Sequence, residues 1–159
     1  MISISIINTL RENHDEVIRR WLEGMHGCIA EDFEEMMLTP MGNGVANKLF
    51  GYAVEFLGAE AYEELEVLHK VQAAARDASY RRAAVGFGLT DIVVTALSFR
   101  KALNETLINH VTPSSAEDSS NLLAAVLALN RFGDTMVSGD IAGFFACRDF
   151  TDSGGEAAA

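Results

Sequence analysis

Apolar residues return along this chain every few positions, and only two prolines, Pro40 and Pro113, interrupt its 159 residues. That pairing constrains the fold more than any other feature. Proline removes a backbone donor and clashes with the preceding turn, so its scarcity leaves long segments free to be helical. No segment alternates apolar and polar residues for long, and no Asn-Gly hairpin joins β-rich runs. Helical periodicity is the dominant signal. The expected fold class is all-α, as one bundle of five to six helices.

The first expected helix runs from about Ser5 to about Gly27. Ile7, Leu10, Val17 and Trp21 share one face, and His14 falls on the same stripe. Gly24 and Gly27 weaken its end. A short acidic helix follows, from about Glu31 to Leu38, and Thr39-Pro40 stops it because the residue before proline avoids the α region. Met41-Gly42-Asn43-Gly44 reads as a turn. A third helix spans about Val45 to Leu57, with Gly58 at its C′ position. The fourth, from about Ala59 to Asp77, begins with Glu60, Glu63, Glu64 and Glu66 and ends with Lys70 and Arg76, an order that suits the helix dipole. Its apolar positions are Tyr62, Leu65, Leu68 and Val71.

Gly86 and Gly88 suggest a further turn. Thr90 opens a helix to about His110 whose inner stripe reads Leu89, Val93, Ala96, Arg100, Leu103 and Leu107. Ser114 or Ser115 caps the last helix, with Asp118 just beyond. That helix carries Leu122, Val126, Leu129, Met136, Val137, Ile141, Phe144 and Phe145. Gly133, Gly139 and Gly143 on it imply close packing against another helix, in this chain or in a second subunit. Residues 1–150 read as one domain and 151–159 as a flexible tail.

Charge narrows the partners. The chain holds 12 Lys+Arg against 23 Asp+Glu, a formal net charge of −11. Such a surface repels phosphate backbones and anionic lipid, so neither nucleic acid nor membrane is an expected partner. Hydrophobic residues make up 49% of the chain, too many for disorder. Cys28 and Cys147 form no disulfide framework and read as reduced, buried thiols. Met1-Ile2-Ser3-Ile4 lacks the basic flank of a signal peptide. No apolar run reaches the ~18 residues of a bilayer span. The expectation is a soluble cytoplasmic protein.

Little in the sequence announces chemistry. The glycines of Met41-Gly42-Asn43-Gly44 follow no strand, so they form no phosphate loop. No Gly-x-Ser-x-Gly elbow is present. Glu23-Gly24-Met25-His26 and Glu66-Val67-Leu68-His69 both read Glu-x-x-His, the spacing that ferritin-like di-iron bundles use twice, alongside a lone Glu from each of two other helices. Glu55 and Glu105 are the poor candidates for those lone glutamates. Haem is the other helical-bundle option, with His14 or His69 as axial ligand. His14 beside Trp21 also suits a protonation-sensitive helix interface. Arg100, on an otherwise apolar stripe, either snorkels at the core edge or contacts an anion. Glu31, Asp32, Glu34 and Glu35 read as a solvated acidic face.

Several stretches resemble one family when read in order. Leu10-Arg11-Glu12-Asn13 through Ile18-Arg19-Arg20-Trp21 is similar to the opening helix of the N-terminal domain of RsbT co-antagonist proteins, the stressosome RsbR/RsbRD group. Thr39-Pro40-Met41-Gly42-Asn43 resembles that family's Asn-Pro-hydrophobic-Gly turn. His69 to Arg82, then Gly86-Phe87-Gly88-Leu89-Thr90-Asp91-Ile92-Val93, resembles its Arg-rich helix and the Gly-x-x-Leu start of the next. Leu97-Ser98-Phe99-Arg100-Lys101-Ala102-Leu103 resembles the core of that next helix. Phe144-Phe145-Ala146-Cys147-Arg148-Asp149 looks like the closing aromatic-x-x-Cys-Arg-Glu.

The resemblance implies a globin-like fold without haem, a homodimer, and signalling to an effector domain. Only a short stretch follows Arg148, so the expectation is a stand-alone sensor or adaptor, or a piece of a longer protein. The reading is a non-enzymatic sensor domain that passes a signal to a protein partner by helix repacking, with no catalytic, cofactor or metal residues assigned. His14, Trp21, Arg100 and Phe144 are the expected sensing or interface residues. The alternatives are a metal- or haem-binding bundle using His26 and His69, and a pure interaction scaffold. If Trp21 is core, Trp21→Ala costs about 3–5 kcal/mol. An unchanged melting temperature would contradict that role.

Overall fold

The computed structural model describes residues 1–154. Among them the chain forms seven α-helices and no strand: α1 (Ile4–Glu12), α2 (His14–Met25), α3 (Glu31–Met37), α4 (Pro40–Gly58), α5 (Glu64–Ala84), α6 (Leu89–His110) and α7 (Ala116–Asp152). The all-α expectation holds. The count exceeds five to six because the first expected helix is broken in two. Asn13 leaves the helical region (φ −104°, ψ 28°), and its side-chain amide donates back to the Thr9 carbonyl at 2.8 Å. Asparagine commonly offers the backbone such an alternative partner.

Pro40 acts as a start rather than only a stop. Thr39 is the N-cap of α4, its hydroxyl accepting from the Gly42 N–H at 3.4 Å, and Pro40 takes the first helical position, where its missing donor costs nothing. The expected turn at residues 41–44 is therefore the first turn of α4. The fourth expected helix is shifted toward the C-terminus: Glu60 to Glu63 form a lead-in turn, and α5 continues through Arg81 and Arg82. Gly86, at φ +101°, then allows the chain to leave the helix. Ser115 caps α7, accepting from the Asp118 N–H at 3.0 Å. Hydrogen bonds from Ser114 and Ser115 hold the Asp118 carboxyl below its usual range. Thr151 and Asp152, expected in the tail, belong to α7. Ser153 and Gly154 form the turn that ends α7, and residues 155–159 of the expected tail lie outside the described residues.

The most extensive contact is between α5 and α7, followed by α6 with α7 and α2 with α6. The α5 stripe that enters the core is Val67, Val71, Ala75, Ala78, Ser79 and Arg82. Tyr62 and Leu65, expected inside, are exposed. On α7 the buried stripe is Ala125, Leu129, Phe132, Gly133, Met136, Gly139, Asp140, Gly143 and Cys147. Ile141 and Phe145 face outward instead. The expected pair of buried thiols holds for Cys147 and fails for Cys28, which is exposed on the turn after α2. No described helix is long and apolar enough to cross a membrane.

The glycines of α7 meet helices of the same chain. A Cβ on Gly139 would lie 2.6 Å from the Gln72 carbonyl oxygen and 2.8 Å from the Ala75 methyl. One on Gly143 would lie 2.9 Å from the Arg76 carbonyl carbon and 3.0 Å from the Tyr80 nitrogen. Backbone cannot swing aside as a side chain does. Gly143→Ala is therefore expected to cost about 1–3 kcal/mol through overpacking, despite the better helix propensity of alanine. Gly51, in α4 with no neighbour in reach of a Cβ, provides the control. Gly51→Ala is expected to stabilise by about 0.5–1 kcal/mol. Urea unfolding of the two variants checks the pair, and shifts of the same sign would contradict the tight α5–α7 contact.

Candidate functional site

Two charged side chains enter the interior along the α5–α7 contact. Arg82 and Asp140 are 9% and 4% exposed. Arg82 continues the apolar stripe of α5 one turn past Ala78, and Asp140 does the same on α7 after Met136. Ser79, fully buried, donates its hydroxyl to the Asp140 backbone carbonyl at 2.6 Å and fixes the two helices in register. Among the described residues, neither the Arg82 guanidinium nor the Asp140 carboxylate has an ion-pair or hydrogen-bond partner, although each acts on the other's ionisation.

Both line one small internal cavity of about 30 Å³, with Trp21, Ala75, Thr95, Phe99 and Met136 among its other walls. That is about the space of one water molecule. Burial drives the Asp140 carboxyl up to about 7, and the positive charge of Arg82 only partly offsets it. The same burial lowers the Arg82 guanidinium from its usual range. The Arg82 guanidinium carbon lies 5.7 Å from the Phe33 ring centroid, a cation–π contact to α3.

The expected sensing residues fall in different places. Trp21 reaches this cavity. It is buried, its indole N–H donates to the Thr95 carbonyl at 3.1 Å, and its ring meets Phe99 edge-on at 5.9 Å. His14 does not. It opens α2 at the surface, with Nε2 2.8 Å from Asn47 Oδ1 on α4 and its ring edge-on to Phe50 at 4.6 Å. Arg100 is a half-buried strap from α6 to α7: its stem lies over Gly133 and its guanidinium donates to Asp134 at 2.7 Å. Phe144 is half-buried near the end of α7, edge-on to Phe145 at 5.5 Å.

The Glu-x-x-His pairs do not converge. His26 sits past the end of α2, where Glu34 holds it at 2.7 Å and raises its basicity. His69 is exposed on α5. The four glutamates that a di-iron site would draw on are in ion pairs instead: Glu23 with Arg19, Glu55 and Glu66 with Lys70, and Glu105 with Arg20. Among the described residues no group of three or more His, Cys, Asp or Glu side chains is placed to hold a metal ion. A separate hub forms at Glu16, which His110 and Arg20 hold below the usual carboxylate range and which ties α2 to the end of α6.

Arg82 and Asp140 are not among the residues expected from sequence. The signal was present, because each is a charge at helical spacing on an otherwise apolar or small-residue stripe: Val71-Ala75-Ala78-Arg82 and Phe132-Met136-Asp140. Comparison with protein families, curated proteins and solved structures gives no match to this chain.

Asp140 links stability to pH. Unfolded, its carboxyl ionises near 3.8; folded, near 7. Between those values the folded state keeps a proton that the unfolded chain releases. The contribution of Asp140 to stability is therefore greatest below about pH 4, falls as pH rises toward 7 and levels off above it, by about 4 kcal/mol in all. Asp140→Asn removes this dependence. From about pH 5 to about pH 8 the variant should gain about 2–3 kcal/mol relative to the parent. Urea titrations at both pH values measure the difference, and parallel curves would contradict it.

Proposed function

We propose that the chain is a non-enzymatic, dimeric signalling domain of globin-like helical arrangement, related in kind to the N-terminal domains of RsbT co-antagonist proteins and acting in the cytoplasm. The signal changes the ionic state of its interior, the helices repack, and a protein partner reads the new surface. One observation carries this reading. A carboxyl that titrates near neutrality lies beside an unpaired arginine, on the contact between the two helices that pack most extensively. A buried unpaired charge is costly, and a group whose cost depends on its surroundings can bias two packings of the same helices.

The outer surface of α7 supports the dimer. Leu123, Leu127, Ile141 and Phe145 recur at helical spacing and are exposed, and Leu97 of α6 is exposed as well. The two apolar pairs flank exposed Asp134 on one face of α7, and apolar patches with a polar centre of this kind suit an isologous helix–helix interface.

Native mass spectrometry and amide hydrogen exchange test the reading together. The expected results are a dimer, protection along α5 and α7 that changes between about pH 6 and about pH 8 after correction for intrinsic rates, and loss of that change in Asp140→Asn. A monomer, or protection indifferent to residue 140, would sink it.

A further inference from the structure

Arg82 also reaches a second void. Beside the α3–α4 turn and the C-terminal half of α5 lies a groove of about 350 Å³, lined by Met36, Met37, Met41, Val45, Val85 and Arg82. Val45 and Arg82 wall the internal cavity too, so the two spaces adjoin at the arginine. The volume is in the lower range of small-molecule sites, about 300–1,000 Å³. Methionine side chains are flexible and polarisable, and they fit irregular apolar chains.

The groove is therefore apolar along its length and carries a cation at its floor. Arg82 is nine-tenths buried, its guanidinium packs over the Phe33 ring, and its nitrogens, which pair with no described residue, keep some accessible surface. Arg81, from the preceding position, lines the same groove. The guanidinium is always charged, and its planar fork matches a carboxylate with two parallel hydrogen bonds. Asp140 and Arg81 are the charges that act on Arg82.

We propose that this groove binds an anionic amphiphile, a medium-length alkyl monocarboxylate, with its chain along Met36, Met37 and Met41 and its carboxylate on Arg82. A neutral chain of the same length would leave the guanidinium unpaired, and a cationic one would be repelled by it. The ligand thus supplies the acceptor that the fold withholds. Binding is read directly, so the proposal stands whether or not the chain signals.

Calorimetric titration of the full chain tests it, with decanoate kept below its micelle concentration and 1-decanol as the uncharged probe. One decanoate per chain is expected, with 1-decanol weaker by about tenfold or more. Arg82→Gln should weaken decanoate by a similar factor and leave 1-decanol unchanged. Met41 is exposed at the groove mouth, so Met41→Glu tests the site without touching the core and should also weaken decanoate about tenfold or more. Absence of saturable decanoate binding, equal binding of decanoate and 1-decanol, or undiminished decanoate binding in Met41→Glu would each overturn the proposal. If Arg82→Gln does not fold, the Met41 variant and the two probes still decide it.

Discussion

Gly139 and Gly143 let the backbone of α7 approach α5 more closely than any side chain would permit. That approach is the constraint on which the rest of the molecule depends. Ala75, Ala78 and Ser79 keep the facing surface of α5 small, and the Ser79 hydroxyl reaches directly to the Asp140 carbonyl. With its two longest-packed helices in this register, the chain brings Arg82 and Asp140 inside from opposite sides. The remaining helices then close around them: α2 through Trp21, α3 through Phe33 and α6 through Thr95 and Phe99.

The interior pair differs in kind from the charges outside. The ion pairs of Arg19 with Glu23, Lys70 with Glu66, Lys101 with Glu105 and Arg131 with Glu64 lie at the surface, where water screens them and each contributes little. Arg82 and Asp140 are largely withdrawn from that water without gaining each other as direct partners. A replacement by apolar residues would pack more easily. Their presence gives the core a chemical state that can change, either through a proton on Asp140 or through an anion on Arg82. The proposed response of the interior to its surroundings rests on this pair.

Much of the fold was legible in sequence, for reasons that can be named. The scarcity of proline and the absence of alternation gave the all-α class. Ser115 and Asp118 marked the start of α7 because cap chemistry is local. Helix phase was harder to read. In α5 the choice of Tyr62, Leu65 and Leu68 over Val67, Ala75 and Ala78 favoured large apolar residues, whereas the close α5–α7 contact requires small ones. In α7 the apolar residues singled out included Ile141 and Phe145, which face outward, and passed over Asp140, which faces inward. Trp21 was found because a large aromatic on a clear stripe signals burial. His14 and Arg100 shared their stripes with apolar residues but lie at the edges, as polar residues on a helix shoulder often do. The Glu-x-x-His repeats were a matter of spacing alone: His26 falls beyond the end of its helix, so its partner glutamate is not on a common face.

The chemistry of the α5–α7 contact turns on one carboxyl group, that of Asp140. Carbon-detected NMR of the Asp140 side chain across pH measures its ionisation without reference to stability, ligand or partner. A midpoint near 7, displaced from the other aspartates, is the expected result. A midpoint near 4, the value of a solvated aspartate, would contradict the buried, titratable contact between α5 and α7.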